Sequence, residues 1–333
     1  MTMPGGHRCT RMELQKKVKT ALDETRMLIL GGQILLGFGL RGVFADTFDQ
    51  LPPHARYLDA AGIGLMVVVL ALLILPEPYH CIVERGSDSG AFHDLVTDVA
   101  DLALLPFALA LGIDIYLAAE RVFGIGGAGA AGIVAAGVAL ALWYGLPRAR
   151  RQTHGQRERA MSNRQRHERP QTPLHTKIDQ MLTEARIILP GAQALFGFQL
   201  SVVLTQAFEQ LPLQSHIAHA ISITFVAVTV MLLMAPASYH RIVYAGEDSE
   251  DMHSTGSVLI TAATLSLAIG LAVDIHVLMA KIANSGVAGF ISGAATLVML
   301  LGLWYGYPLA MRAKGEGRNA PAHPRGQSGM MRQ

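Results

Sequence analysis

The stretch PEPYHCIVERGSDSGAFH, Pro76 to His93, returns 160 residues later as PASYHRIVYAGEDSEDMH, Pro236 to His253. Pro76, Tyr79, His80, Gly86, Asp88, Ser89 and His93 recur as Pro236, Tyr239, His240, Gly246, Asp248, Ser249 and His253. Each stretch lies between two apolar blocks, 57–75 and 93–118 in the first case, 217–235 and 253–279 in the second. A block of roughly 20 apolar residues is long enough to cross a bilayer. A backbone in hydrocarbon has no water to bond, so such a block must be a helix. The period is too long for a solenoid, which leaves a duplicated helical membrane domain.

The agreement extends outward. Glu24, Arg26, Gly31, Gln33, Gly37 and Phe38 recur as Glu184, Arg186, Gly191, Gln193, Gly197 and Phe198. Trp143-Tyr144-Gly145 recurs as Trp304-Tyr305-Gly306, offset by 161, so one residue was inserted. Four apolar segments fall in each copy: 27–46, 57–75, 93–118 and 127–146, then 187–207, 217–235, 253–279 and 287–307. The expected fold is all-α and polytopic, with eight transmembrane helices arranged as two parallel four-helix repeats. The expected divisions are a cytoplasmic N-terminal segment with an amphipathic helix at 1–26, repeat one at 27–147, a basic linker at 148–176, repeat two at 177–308 and a cytoplasmic tail at 309–333.

Composition agrees. Of 333 residues, 51% are hydrophobic and only 16% charged, against about 25% in soluble domains. The net charge of +2 is small, but cations cluster in the N-terminal segment (Arg8 to Lys19), the linker (Arg148 to Arg169) and the tail (Arg312 to Arg332). With four spans per copy all three fall on one side, and the positive-inside rule makes that side the cytoplasm. The expected location is the bacterial inner membrane with both termini cytoplasmic. The first 26 residues lack the apolar core of a secretory signal. The two cysteines, Cys9 and Cys81, both fall on the cytoplasmic side, where a structural disulfide is not expected. The arginine-rich linker reads as topology-setting charge, not as a nucleic-acid contact.

Packing signals are of three kinds. Leu14, Val18 and Leu22, matched by Leu174, Ile178 and Leu182, share a helical face and suit a helix lying on the membrane surface. Ala128, Gly132 and Ala136, and Gly289 with Gly293, form small-residue stripes. Such stripes suit close packing inside the bundle or a homo-oligomer contact. The Trp-Tyr pairs read as interfacial anchors.

The candidate functional residues are polar groups inside or beside the spans. Pro76 and Pro236 are expected to end the second spans, with Asp88-Ser89 and Asp248-Ser249 capping the third. That hairpin would bring His80 near His93 and His240 near His253. Imidazole pairs bind transition metals or haem iron, or move protons near neutral pH, yet an interfacial hydrogen-bonding role fits them as well. Asp94, Asp98 and Asp101 share one face of the third span, where the second copy has Ser254, Val258 and Thr261. They line an ion path or precede the point where the helix enters hydrocarbon. Asp114 and Asp274 sit near the outer ends of the third spans, and Gln33 and Gln193 lie within the first spans. No phosphate loop, nucleophile elbow, HExxH or CxxC occurs, so no enzyme, catalytic residue or cofactor is expected.

Glu24, Arg26, Gly31, Gln33, Leu35 and Phe38, followed by Pro76, Tyr79 and His80, resemble the pattern of a bacterial family of uncharacterised four-helix membrane proteins. The second copy matches it at Glu184, Arg186, Gly191, Gln193, Leu195, Phe198, Pro236, Tyr239, His240 and Arg241; Cys81 stands where Arg241 does. The resemblance covers most of 13–147 and 173–308 and implies a tandem fusion. Members are sometimes labelled sodium:proton antiporters. The leading expectation is small-ion transport of H⁺ or Na⁺, with Asp98 and Asp101 in the path, His80 and His93 exchanging protons, and Asp114 and Asp274 at the outer mouth. The alternatives are a membrane protein binding haem or metal through its paired histidines, and a non-catalytic envelope or stress-response protein.

Overall fold

The computed structural model describes residues 5–84, 89–145, 173–242 and 249–319. The described residues are helical almost throughout. The elements are α1 (Gly5–Gly42), α2 (Pro53–Ile74), the short α3 (Pro76–Tyr79) running into a π turn (His80–Glu84), and α4 (Gly90–Leu140). Then come α5 (Leu174–Val202), the short α6 (Gln206–Glu209), α7 (Leu213–Ile242), α8 (Glu250–Ile282), α9 (Gly286–Leu301) and α10 (Tyr307–Asn319). α4 is two helices end to end. Gly124 has a φ of 71°, a left-handed conformation that costs glycine little, and it splits the element into spans Gly90–Glu120 and Gly124–Gly145.

Among the described residues, six helices are long and apolar enough to cross a bilayer: Pro53–Glu84, Gly90–Glu120, Gly124–Gly145, Leu213–His240, Glu250–Ile282 and Gly286–Lys314. The expected first spans, 27–46 and 187–207, are not among them. α1 and α5 are long enough, but Gln33, Gln193, Gln199 and Pro190 interrupt their apolar runs, with arginines close by. Each is the other's largest single packing partner. Phe38 and Phe198 meet with ring centroids 4.5 Å apart, and Gln33 lies against Gly191.

The six apolar helices differ in how they use their surface. Of the apolar window, 56% is buried in Pro53–Glu84 and 61% in Glu250–Ile282, against 17–28% in the other four. These two are the most enclosed of the six, and the others turn Ile133 (75% exposed), Val134, Phe290 and Val298 (72%) outward. An apolar exterior this extensive is unfavourable in water and suits a lipid environment. The six apolar helices therefore point to a membrane protein.

The prolines do not end the second spans. Pro236 lies inside α7, which continues to Ile242, and after Pro76 the chain stays helical to Glu84. A proline removes one backbone hydrogen bond, and a neighbouring π turn can absorb the change without ending the helix. Ser89 and Ser249 cap the next helices as expected, accepting from the amides of Phe92 (3.0 Å) and Met252 (3.1 Å). Gly86, Asp88, Gly246, Asp248 and the linker lie outside the described residues.

Two other packing expectations change, those for the amphipathic segment of α5 and for Trp304. Leu174 and Leu182 pack on the core around the buried Ile178, so this face of α5 meets protein and does not lie on a membrane surface. In the first copy the corresponding segment is part of the continuous α1. The small-residue stripes are occupied within the chain. A Cβ on Gly132 would sit 2.8 Å from the Gly112 carbonyl, and one on Gly293 would sit 2.8 Å from that of Ala272.

Trp304 is fully buried and not an interfacial anchor; its Nε1 donates to the Ala71 carbonyl at 2.8 Å, tying the second copy to α2 of the first. Trp143 is only partly buried and packs on Phe107. Tyr144 and Tyr305 keep an equivalent bond in both copies, donating to the carbonyls of Asp101 and Thr261. Trp304→Phe is expected to cost about 1–2 kcal/mol through the lost hydrogen bond and the void it leaves. Thermal unfolding in detergent measures it.

Candidate functional site

Two buried polar clusters lie on the seam where α5 meets the first copy. The first joins the copies. The π turn after α3 presents His80, whose Nδ1 lies 2.5 Å from Oε1 of Glu184 on α5; both side chains are 2% exposed. Phe92 stacks on the imidazole with centroids 4.5 Å apart. Glu77, held between Pro76 and Pro78, is also buried, and neither of its carboxylate oxygens has a hydrogen-bond partner. It lies within electrostatic reach of Glu184. The Cys81 thiol is 4.0 Å from Oε2 of Glu184, with the Ser257 and Thr261 hydroxyls facing it. His253 lies within electrostatic reach of His80, Glu184 and Lys177.

The second cluster belongs to the other end of α5. Gln199 Nε2 donates to Asp274 Oδ2 at 2.5 Å and to Ser222 Oγ at 2.8 Å. Ser222 donates onward to the Gly270 carbonyl, 2.8 Å away. His219 places Nδ1 3.6 Å from Asp274 Oδ1 and Nε2 3.1 Å from the Gln199 carbonyl. Glu184 and Gln199 are fifteen residues apart on one helix, about 22 Å at 1.5 Å per residue. Between them Gln33 is fully buried against Gly191, and neither atom of its amide has a partner. The seam thus carries an imidazole–carboxylate pair near each end and an unsatisfied amide between them.

The expected residues separate accordingly. Asp274 and Gln33 lie on the seam, whereas Gln193 is exposed. Asp94, Asp98 and Asp101 are exposed on α4 and join neither cluster. Asp114 is exposed, within electrostatic reach of Asp59. The hydrogen bond of His80 runs across to Glu184 in the other copy, and its ring stacks on Phe92, the residue before His93. His240 and His253 are partly buried, and His253 is within electrostatic reach of His80 in the other copy and of Glu184 and Lys177 in its own. Among the described residues, no three of His, Cys, Asp and Glu come together as a metal site.

Gln199, His219, Ser222 and Glu77 were not anticipated. A histidine inside an apolar run is a signal of function in its own right, and His219 carries it. Their counterparts are Gly39, Asp59, Gly62 and Ala237, so comparing the copies position by position passes over them.

Apolar helices with lipid-suited exteriors and a buried polar seam define an all-helical membrane protein with an internal repeat. A model of a family of unknown function (DUF6328) matches residues 9–147 and again 167–308, and the chain belongs to that family, carrying its domain twice. No curated protein and no solved structure matches the chain.

Proposed function

We propose that the protein moves protons across the bacterial inner membrane along the seam between its two copies. In this reading all eight apolar segments span. α1 counts among them because its Gln33 is sheltered against Gly191 of α5, and α5 because its Gln199 is bonded to Ser222 of α7 and Asp274 of α8. Both copies stand the same way up, with the termini and linker in the cytoplasm. The parallel packing of α1 on α5 supports this, with Gln33 at Gly191 and Phe38 at Phe198. So does the clustering of arginine in the linker and tail.

The observation that carries the reading is the pair of imidazole–carboxylate contacts about 22 Å apart on one seam. Ionisable groups are costly in a hydrocarbon layer about 30 Å thick, and those retained there commonly mark ion or proton paths. Histidine and carboxylate exchange protons readily near neutral pH. His80 and Glu184, with Glu77 beside them, take up or release the proton at the cytoplasmic side; His219 and Asp274 do so at the outer side. Gln33 bonds water between them as the copies move against each other, in the manner of parallel-repeat transporters.

The test is proton flux in proteoliposomes under an imposed pH gradient, read with an internal pH dye. Flux above that of protein-free liposomes supports the reading, and equal flux removes it. Asp101→Asn is expected to leave flux at the wild-type level, because Asp101 is exposed on α4, away from the seam.

A further inference from the structure

The contact between the two copies is one-sided. On α1 it uses Gln33, which lies against Gly191, and Gly37, which lies under Phe198. A two-fold axis would also set Gln193 against Gly31 and Phe38 over Gly197 in the same interface. Neither contact is made. Gln193 is exposed and Phe38 is 58% exposed. A Cβ on Gly197 would meet nothing within 4 Å, and one on Gly31 would meet only the tip of Phe107 at 4.0 Å. The other helices divide in the same way. Copy one brings α2 to the contact, and copy two brings α8, Lys281 at its end and Trp304. The apolar window of α2 is 56% buried against 28% in its counterpart α7, and that of α8 is 61% buried against 22% in the Gly90–Glu120 span of α4. Met231 is 66% exposed where its counterpart Ala71 is fully buried, and Ile115 is exposed where Ile275 is buried.

We propose that the two open faces join between chains: the α5–α7 face of one chain packs on the α1–α4 face of a second copy, repeating the contact already made within the chain. The open face of copy two is the sequence match of the face that copy one uses, and the open face of copy one matches the face that copy two uses. A head-to-tail contact of this kind leaves one face of each type free at its ends and closes into a ring when its rotation allows. α1 and α5 run in the same direction, with Gln33 at Gly191 and Phe38 at Phe198. Each further step therefore keeps every copy the same way up, as a ring in one bilayer requires. Two chains, with four copies of the domain, make the smallest such ring.

Charge and space both fit. Within the chain the Lys281 ammonium lies 3.0 Å from Asp49. Arg121 stands at the position of Lys281 and the exposed Glu209 at that of Asp49, so the same pair of opposite charges recurs at the open faces. Gly31 and Gly197 leave the room that Gln193 and Phe38 of a neighbouring chain need. The ring forms whether or not the seam carries protons.

The experiment is disulfide cross-linking in native membranes between two differently tagged full-length chains, with Cys9 and Cys81 replaced in both. One chain carries Gly31→Cys and the other Gln193→Cys, and the readout is the linked pair that holds both tags. Within the chain the matching Cβ positions, those of Gln33 and Gly191, lie 2.8 Å apart, within about 1 Å of the spacing a disulfide spans. The expected yield is at least tenfold above that with Ile133→Cys in place of Gly31→Cys; Ile133 is exposed on the second half of α4, which neither face includes. Phe38→Cys with Gly197→Cys is the second pair, and it decides should the first fail to fold. Glu209→Arg beside Gln193→Cys lowers the yield at least threefold, and Arg121→Glu beside Gly31→Cys restores it, which misfolding or crowding of chains in the membrane would not do. A two-tag yield at the Ile133→Cys level, or one that the charge reversals leave unchanged, overturns the proposal and means that lipid covers both faces.

Discussion

Glu184→Gln is expected to lower pH-gradient-driven proton flux at least about tenfold while the protein stays folded, the range seen when a proton-transferring side chain is lost. Glutamine has the shape of glutamate and still offers an oxygen or an N–H to His80 across the 2.5 Å contact. It cannot take up or release a proton. The substitution therefore separates chemistry from packing. Glu184→Leu does not separate them, because it leaves His80, 2% exposed, without its acceptor. Breaking a buried pair of this kind costs about 3–5 kcal/mol, so Glu184→Leu loses both flux and thermal stability. Flux at the wild-type level in Glu184→Gln would remove the cytoplasmic pair from the path.

Gly293→Leu and Gly289→Leu are expected to destabilise the second copy by about 2–3 kcal/mol each, the cost of forcing extra volume into a packed interior. A Cβ on Gly289 would lie 2.6 Å from the His276 carbonyl oxygen, and one on Gly293 would lie 2.8 Å from that of Ala272. Those atoms are helix backbone and have little freedom to retreat, so α9 must move away from α8. Hydrocarbon gives no hydrophobic drive to bring the helices back, because lipid tails are as apolar as the side chains. Gly129→Ala is the contrast: nothing lies within 4 Å of its added Cβ, and stability should be unchanged or slightly raised. Melting in detergent ranks the three variants. Equal stability of Gly129→Ala and Gly293→Leu would show that α8 and α9 do not pack this closely.

The sequence exposes the helices because hydrocarbon demands long apolar runs, and among the described residues six stand out by length and composition alone. It hides α1 and α5 in part because Gln33 is sheltered by α5, a contact between segments some 160 residues apart, and Gln199 is bonded to α7 and α8. The site was legible where both copies keep a residue with a role, as with His80, Asp274 and Gln33. It was hidden where the copies diverge. Gln199, His219 and Ser222 stand where the first copy has Gly39, Asp59 and Gly62. Retention in two copies selects what both bundles need for folding, such as the Ser89 and Ser249 caps. The buried polar clusters on the seam draw on residues that only one half carries. Glu77 is such a residue. Its counterpart is Ala237, and only the packing shows it buried, within electrostatic reach of Glu184.

A seam reaching from one membrane face to the other requires that α1 and α5 cross the bilayer in the same direction. Single-cysteine labelling with a membrane-impermeant maleimide on intact cells tests that directly, in a chain whose Cys9 and Cys81 have been replaced. The expected outcome is labelling of Gln50→Cys and Asn284→Cys from outside, with Ser162→Cys labelled only after the membrane is opened. Labelling of Ser162→Cys in intact cells, or protection of Gln50→Cys while Asn284→Cys reacts, would contradict the eight-span arrangement and the path built on it.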